Sequence, residues 1–435
     1  MILSNWSTIR SMHPITKRLL LIRGLRSIGQ GAMVVDLTLY LKDLHWSGAG
    51  IGGVTTAAGL VGAALILLVG VLSDRLGRRP FLLIYETLTL ISALLASITS
   101  FALILILGIV IAGFGRGQSG AAGPFGPAEQ AWLARHVKQK DRGFVFSLNN
   151  ATGFVGMAVG AVVGGVPGLI HHVPPIVAYR PVFIMVGIIS LLCMFILLSM
   201  KEEAGEVDRA SATANLQEAV GGENIPPADN EMQIRKQENR SILKLALVNT
   251  LNGLAVGLTG PMMAYWFSLR YGVSTSAIGM TLSIGFLMTG ISSLLIGVLA
   301  QRVGMVRSVT WMRVIGSIMM LALPWMPNFA VASVIFVIRG AINRGTQGSR
   351  TALSASLTRD KRRGFASSIN ALSMRLPSSI GPTVSGFLFD AGDLSLPLIL
   401  TAGLQLANAA IYQWIFGSYD ERETPKSKKP KSATL

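Results

Sequence analysis

Gly70-Val71-Leu72-Ser73-Asp74-Arg75-Leu76-Gly77-Arg78-Arg79 joins two apolar runs of membrane length. Asp74, Arg75, Arg78 and Arg79 put four charges into one short turn. Each would cost several kcal/mol in hydrocarbon, so the turn belongs at a membrane surface. Three of the four are basic, which marks that surface as the cytoplasmic one. Gly70 lets a neighbouring helix come close at the end of the preceding run. Gly77 suits a turn that needs positive φ. An ordinary positive-inside loop is the alternative reading.

The rest of the chain matches this turn. Its 435 residues are 51% hydrophobic and 14% charged, with mean hydropathy +0.55, which excludes an ordinary soluble domain. A crossing needs ~20 apolar residues. Twelve candidate runs occur, at 19–41, 51–72, 81–100, 101–122, 144–170, 181–200, 245–269, 278–300, 308–326, 329–351, 365–389 and 396–416. Between the sixth and seventh, 201–240 is polar and charged and reads as a flexible linker. The expected organisation is a first half at 1–200, the linker, a second half at 241–418 and a basic tail at 419–435. Arg75, Arg78, Arg79, Arg135, Lys138, Arg142, Arg302, Arg307 and Arg359 to Arg363 fall in alternate loops; the opposite loops carry only Lys42, Arg180 and Arg270. Both termini are therefore expected inside the cell, in a multi-pass protein of the plasma membrane.

The two halves repeat. Arg142-Gly143-Phe144, with Ser147 and Asn149, recurs 221 positions on as Arg363-Gly364-Phe365, with Ser368 and Asn370. Gly70-Val71-Leu72 recurs as Gly297-Val298-Leu299, and Arg116-Gly117 with Gly120 as Arg344-Gly345 with Gly348. The predicted fold is an all-α membrane protein of twelve transmembrane helices in two pseudo-symmetric six-helix halves.

The charged turn resembles the loop between helices 2 and 3 of the major facilitator superfamily. Gly70, Asp74, Arg75, Gly77, Arg78 and Arg79 occupy every key position of that family's gating motif. The resemblance spans essentially the whole chain. It implies a transporter that rocks two halves around a midplane site, with Asp74 acting near the N-terminal end of the eleventh helix. In the fifth span, Gly156, Gly160, Gly164 and Gly165 form a small-residue seam, paired through the repeat with Gly381 and Pro382 in the eleventh. The seam resembles the family's antiporter motif in part, because Ala161 stands where its proline is expected. A plain packing seam is the alternative.

Charges inside spans need a partner, water or a task. At ~1.5 Å per residue, Arg26, Glu86 and Arg116 fall at one level, so Glu86 could neutralise one arginine and leave the other facing a cavity. Gln30 is one turn beyond Arg26. Asp36 lies near the outer side of the first span with no evident basic partner; it is the candidate proton carrier, with Glu86 second and Glu129 as a further first-half candidate. It could instead simply reach outside water. Tyr40 follows one turn on. The second half has no acidic residue within a span, yet Arg339 and Arg375 fall near midplane. They could bind an anionic substrate, or face water, carbonyls or the first-half carboxylates. Asn249, Asn252, Tyr265 and Trp266 add polar and aromatic surface on the seventh span.

The functional expectation is proton-coupled efflux of amphipathic drugs or metabolites. Uptake or exchange of a small organic anion is one alternative; a membrane sensor that transports nothing is another. The expected partners are a small-molecule substrate, protons and the lipid bilayer, with no nucleic acid, and the expected state is a monomer. No cofactor or metal is expected: Cys193 is the sole cysteine, and no phosphate-binding Gly-rich loop ends in Gly-Lys-Ser/Thr. No nucleophile–base constellation suggests an enzyme.

Overall fold

A computed structural model describes residues 12–111, 113–114, 126–137, 141–201, 228–346, 350 and 363–423. Among these the first half contains α1 (Pro14–Asp43), α2 (Gly48–Leu76), α3 (Arg79–Ile98), α4 (Ala102–Val110), α5 (Gly126–Arg135), α6 (Arg142–Val163) and α7 (Arg180–Leu198). The second contains α8 (Ala228–Thr259), α9 (Met263–Tyr271), α10 (Thr275–Val303), α11 (Met305–Ala322), α12 (Phe329–Gly345), α13 (Arg363–Asp390) and α14 (Leu396–Glu423).

Local chemistry sets several helix ends. Ser47 caps α2 by accepting from Gly50 N at 3.0 Å, and Asn328 caps α12 by accepting from Val331 N at 3.0 Å. Pro14, Pro80 and Pro181 sit at first-turn positions, where a missing N–H costs nothing. Gly77 ends α2 at φ +88°, and Gly304 precedes α11 at φ +102°. They are equivalent positions of the two halves, and both hold a conformation that side chains disfavour.

Eight described helical segments are long and apolar enough to cross a membrane. Helix α1 is longer than a crossing requires at 30 residues, but more polar. The reason is its place: every residue from 29 to 41 is buried, so it lies inside the bundle rather than against lipid. Lipid-side positions are exposed and apolar, among them Ile84, Ile91, Ile188, Ile318 and Phe387.

The packing pattern repeats. In the first half α1 lies along α6, α2 meets α4 and α5, and α3 lies along α7. In the second α8 lies along α13, α10 along α12 and α11 along α14. Taking α4–α5 as one span and α8–α9 as another, both halves pair their first helix with their fifth, second with fourth and third with sixth. Between halves, α2 runs along α13 and α6 along α10.

Three elements differ from the sequence expectation. The seventh span is broken into α8 and α9 at Gly260-Pro261, because Pro261 has no N–H to continue the ladder. Helix α8 begins at Ala228, inside the stretch assigned to the linker, where Glu, Gln, Lys and Arg are good helix formers. Beyond the fourth expected run, a further helix, α5, carries the buried Glu129 and Trp132.

The small-residue seams bring backbones together. A Cβ on Gly156 would lie 2.5 Å from the Gly24 carbonyl and one on Gly164 2.7 Å from that of Ala32, while one on Gly160 would overlap the Ile28 carbonyl. Gly165 faces Ser276 on α10, and Gly381 lies against the Gly257–Leu258 backbone of α8. Pro382 lies inside α13, where its carbonyl abuts Gly52.

Several hydrogen bonds join the halves at the end of the bundle opposite the Gly77 turn. Lys42 Nζ donates to Ser268 Oγ at 2.6 Å, Ser276 Oγ to the Gly165 carbonyl at 2.8 Å and Thr383 Oγ1 to Thr56 Oγ1 at 2.7 Å. The deepest, at Thr56, is roughly 12 Å from the start of α2. This far end is closed.

Candidate functional site

Helix α1 carries Arg23, Arg26 and Gln30 at helical spacing, so they share one face. Arg26 Nε donates to Glu86 Oε1 of α3 at 2.7 Å, and Arg26 Nη1 to Glu129 Oε2 of α5 at 2.6 Å. Both ion pairs are buried, with side-chain exposures of at most 3%. The guanidinium also lies 5.1 Å from the centre of the Tyr85 ring. Arg23 is 1% exposed, and its Nε and Nη1 have no hydrogen-bond partner among the described residues. Two arginines and two glutamates balance in formal charge, which lets so many charges stay buried. A cavity of about 20 Å³ adjoins the network, lined by Arg26, Gln30, Tyr85, Glu86 and Ser190. One water needs about 10–15 Å³, so the space suits a bridging water rather than a solute. Arg116, the other arginine considered for Glu86, lies outside the described residues.

Asp36 sits ten positions further along α1, roughly 15 Å from Arg26. It is 0% exposed, and neither carboxyl oxygen has a hydrogen-bond partner among the described residues. The idea that it simply reaches outside water does not fit this burial. Its surroundings are the far-end core, including Val35, Leu37 and Leu39.

A second cavity, of about 80 Å³, lies in the second half among α8, α10, α12 and α14. Arg339, Asn343 and Arg344 come from α12, Gln405 from α14, and Phe286 and Phe336 supply aromatic walls. Arg339 Nη2 and Asn343 Nδ2 each approach Gln405 Oε1 at 3.4 Å. Arg344 lies over the Phe286 ring, 5.5 Å from its centre. Gly260, at the break between α8 and α9, also lines the space.

Other residues expected at a substrate cavity lie elsewhere. Tyr40 packs edge-on to Phe183 at 4.9 Å and Tyr179 at 5.4 Å, inside the closed far end. Trp266 donates to the Leu394 carbonyl at 2.7 Å, and Tyr265 meets Phe389 at 6.0 Å, both in that same core. Their aromatic bodies seal rather than line, because the closed far end is where large rings find dry contacts. Asn249 pairs with Asn370 and Asn252 with Met374, along the α8–α13 seam. Arg375 is on α13, and Arg344 rather than Arg375 shares the cavity with Arg339.

At the Gly70–Arg79 turn, Arg79 Nε and Nη2 donate to the Leu197 and Leu198 carbonyls at 3.0 and 2.8 Å, capping the end of α7. Arg78 directly precedes α3. Gly70, Asp74 and Arg75 belong to α2, and their side chains lie outside what is described.

At the opposite end a carboxylate that sequence reasoning passed over links the halves. Asp390, at the end of α13, accepts from Gly48 N at 2.7 Å and Ala49 N at 2.8 Å, the first amides of α2. A negative group on a helix N-terminus is favourable and satisfies orphan donors. Nothing in the sequence alone paired two residues so far apart. Because Asp390 is solvent-exposed, the latch is worth about 1 kcal/mol, typical of a cap. Asp390→Ala should therefore open the far end more often. A cysteine placed at Val54, which packs on the far-end core, should react about fivefold faster with a membrane-impermeant thiol reagent. Equal rates would show that Asp390 does not hold the closure.

The profile of the Major Facilitator Superfamily matches residues 19–236 and 245–435. The chain is 22% identical over 424 residues to the uncharacterized membrane protein YJR124C of Saccharomyces cerevisiae, covering 92% of this chain and 93% of that one. It is 23% identical over 394 residues to the quinolone resistance protein NorA of Staphylococcus aureus, covering 88% and 92%. The solved structure of a D-xylose-proton symporter superposes with a TM-score of 0.70 at 14% identity, covering 91% of this chain and 96% of that one. At that identity the likeness is one of fold.

Proposed function

The chain belongs to the major facilitator superfamily, and we propose that this transporter exports amphipathic small molecules in exchange for protons. The observation that carries the proposal is Asp36, an acidic side chain sealed inside the closed end without a cation among the described residues. Burying an uncompensated charge costs several kcal/mol, whereas a neutral carboxylic acid is tolerated. Closure of the far end is then favoured only after Asp36 has taken up a proton. Opening that end hydrates the carboxylate. Proton binding and far-end closure are thus linked, which is what an exchanger requires. The Arg26–Glu86–Glu129 network lies on the route from Asp36 toward the basic loops and offers the proton its next acceptors.

Export is favoured by the relationship to NorA, whose name ties it to quinolone resistance. The positive-inside bias places the basic loops and both termini in the cytoplasm and the closed far end outside. In this orientation residues 1–200 and 241–418 rock as two halves of a monomer in the plasma membrane, joined by 201–240. Asp74 steadies the other limit of the cycle at the start of α13, as Asp390 does at the start of α2. The glycines at 156, 160 and 164 give α6 a flat face on which α1 can slide.

The test is accumulation of a fluorescent amphipathic dye in inside-out vesicles. An interior-acid pH gradient should drive uptake, and a protonophore should collapse it. Uptake that survives the protonophore would contradict proton exchange.

A further inference from the structure

Building on the export of amphipathic solutes inferred above, we propose that the cavity among α8, α10, α12 and α14 is a carboxylate-binding subsite. It takes the anionic head of an aromatic organic acid. Donors crowd this cavity and acceptors are scarce. Arg339 and Arg344 each bring a guanidinium with five N–H donors, and Asn343 brings an amide. The one side-chain acceptor these donors approach is Gln405 Oε1, shared at a long 3.4 Å by Arg339 and Asn343. Arg339 Nε has no hydrogen-bond partner among the described residues. Among the described residues, no acidic side chain lines the space. The first half offers the contrast: its buried Arg26 is held by Glu86 and Glu129 and has no charge left to offer a ligand.

A carboxylate matches the flat fork of a guanidinium through two parallel charge-assisted hydrogen bonds. Two forks in one cavity can address both oxygens from different sides. The walls choose the rest of the molecule. Phe286 already carries Arg344 on one face, and Phe336, Leu282 and Val256 add apolar lining. A volume of about 80 Å³ accepts a carboxylate with the start of a ring, not a whole drug-sized molecule. Gly340 leaves open space where a side chain would stand, and Gly260 marks the helix break beside it. The aromatic body would extend from there between the two halves.

Equilibrium binding to the full-length protein in nanodiscs, with no gradient, tests the subsite. Benzoate should raise the unfolding temperature saturably, whereas benzamide, of the same shape but neutral, should not. Inorganic phosphate should bind at least tenfold more weakly than benzoate, since it gains nothing from the aromatic walls. Arg339→Gln and Arg344→Gln should each weaken benzoate at least tenfold while the unliganded protein keeps its unfolding temperature. Arg344→Lys, which retains charge but loses the fork, should weaken it as well. Equal stabilisation by benzamide, or benzoate binding untouched in both glutamine variants, would overturn the carboxylate subsite. Phosphate binding as tightly as benzoate would overturn the aromatic part. Asp36→Asn should bind benzoate normally, so loss of proton-driven transport and loss of this subsite are separate results.

Discussion

Asp36→Asn should abolish pH-driven accumulation while leaving substrate binding and passive exchange in place. Asparagine has nearly the same shape and is neutral, so the far end can still close around it. What disappears is the dependence of closure on a proton. The wild-type carboxyl is 0% exposed, among the apolar far-end core, and no cation accompanies it among the described residues. Closing over the charged form would leave a carboxylate in that core at a cost of several kcal/mol; 3 kcal/mol already means a population shift of about 100-fold. The variant escapes that cost at every pH. In reconstituted vesicles it should equilibrate solute at a rate indifferent to the pH gradient. If it still concentrates solute when pH drives it, the coupling group is elsewhere, and Glu86 and Glu129 are next to be tested.

Arg26→Ala should have the largest effect on stability. Removing the guanidinium leaves Glu86 and Glu129 in a buried space with only Arg23 to offset them. Breaking a buried pair by deleting one partner typically costs about 3–5 kcal/mol, most of it the penalty of the stranded charge. Here the two carboxylates keep only Arg23, so one negative charge is stranded. Thermal unfolding in detergent should show a much lower midpoint for Arg26→Ala. Arg26→Ala combined with Glu86→Gln should recover much of the loss, because Arg23 and Glu129 then balance in formal charge. An unchanged midpoint for the single variant would mean that the network contributes nothing to the fold. Failure of the double variant to recover would point to lost packing rather than lost charge balance.

Much of the architecture was legible because membrane-length apolar runs and alternating basic loops are strong one-dimensional signals. The internal repeat reached detail: Gly77 and Gly304 share a positive φ, and the helix pairs of one half recur in the other. Depth counting also brought Arg26 and Glu86 to one level, and they meet at 2.7 Å. Glu129 stood behind Asp36 as a candidate proton carrier, but its pairing with Arg26 was not legible, because its helix opens on Gly126-Pro127 after a glycine-rich stretch and so looked like a loop. Which aromatic residues face a cavity could not be read from hydropathy, since Tyr40 and Trp266 gain as much by sealing the far end as by lining a site. Arg375 and Arg339 sit at similar depth but on different helices, and only rotation about each helix axis decides which one opens on the cavity with Arg344. Asp390 reaches α2 from the other half, a relation fixed by tertiary packing alone.

Obligatory linkage of solute and proton movements can be read from the proton itself. Purified protein is reconstituted into vesicles containing a pH-sensitive dye, and a transported amphipathic solute is added outside with no imposed pH gradient. Solute entering down its own gradient should drive protons out, so the interior should turn alkaline at a rate proportional to solute flux. Asp36→Asn should move solute without that signal. Wild-type solute flux with a constant interior pH would contradict proton exchange.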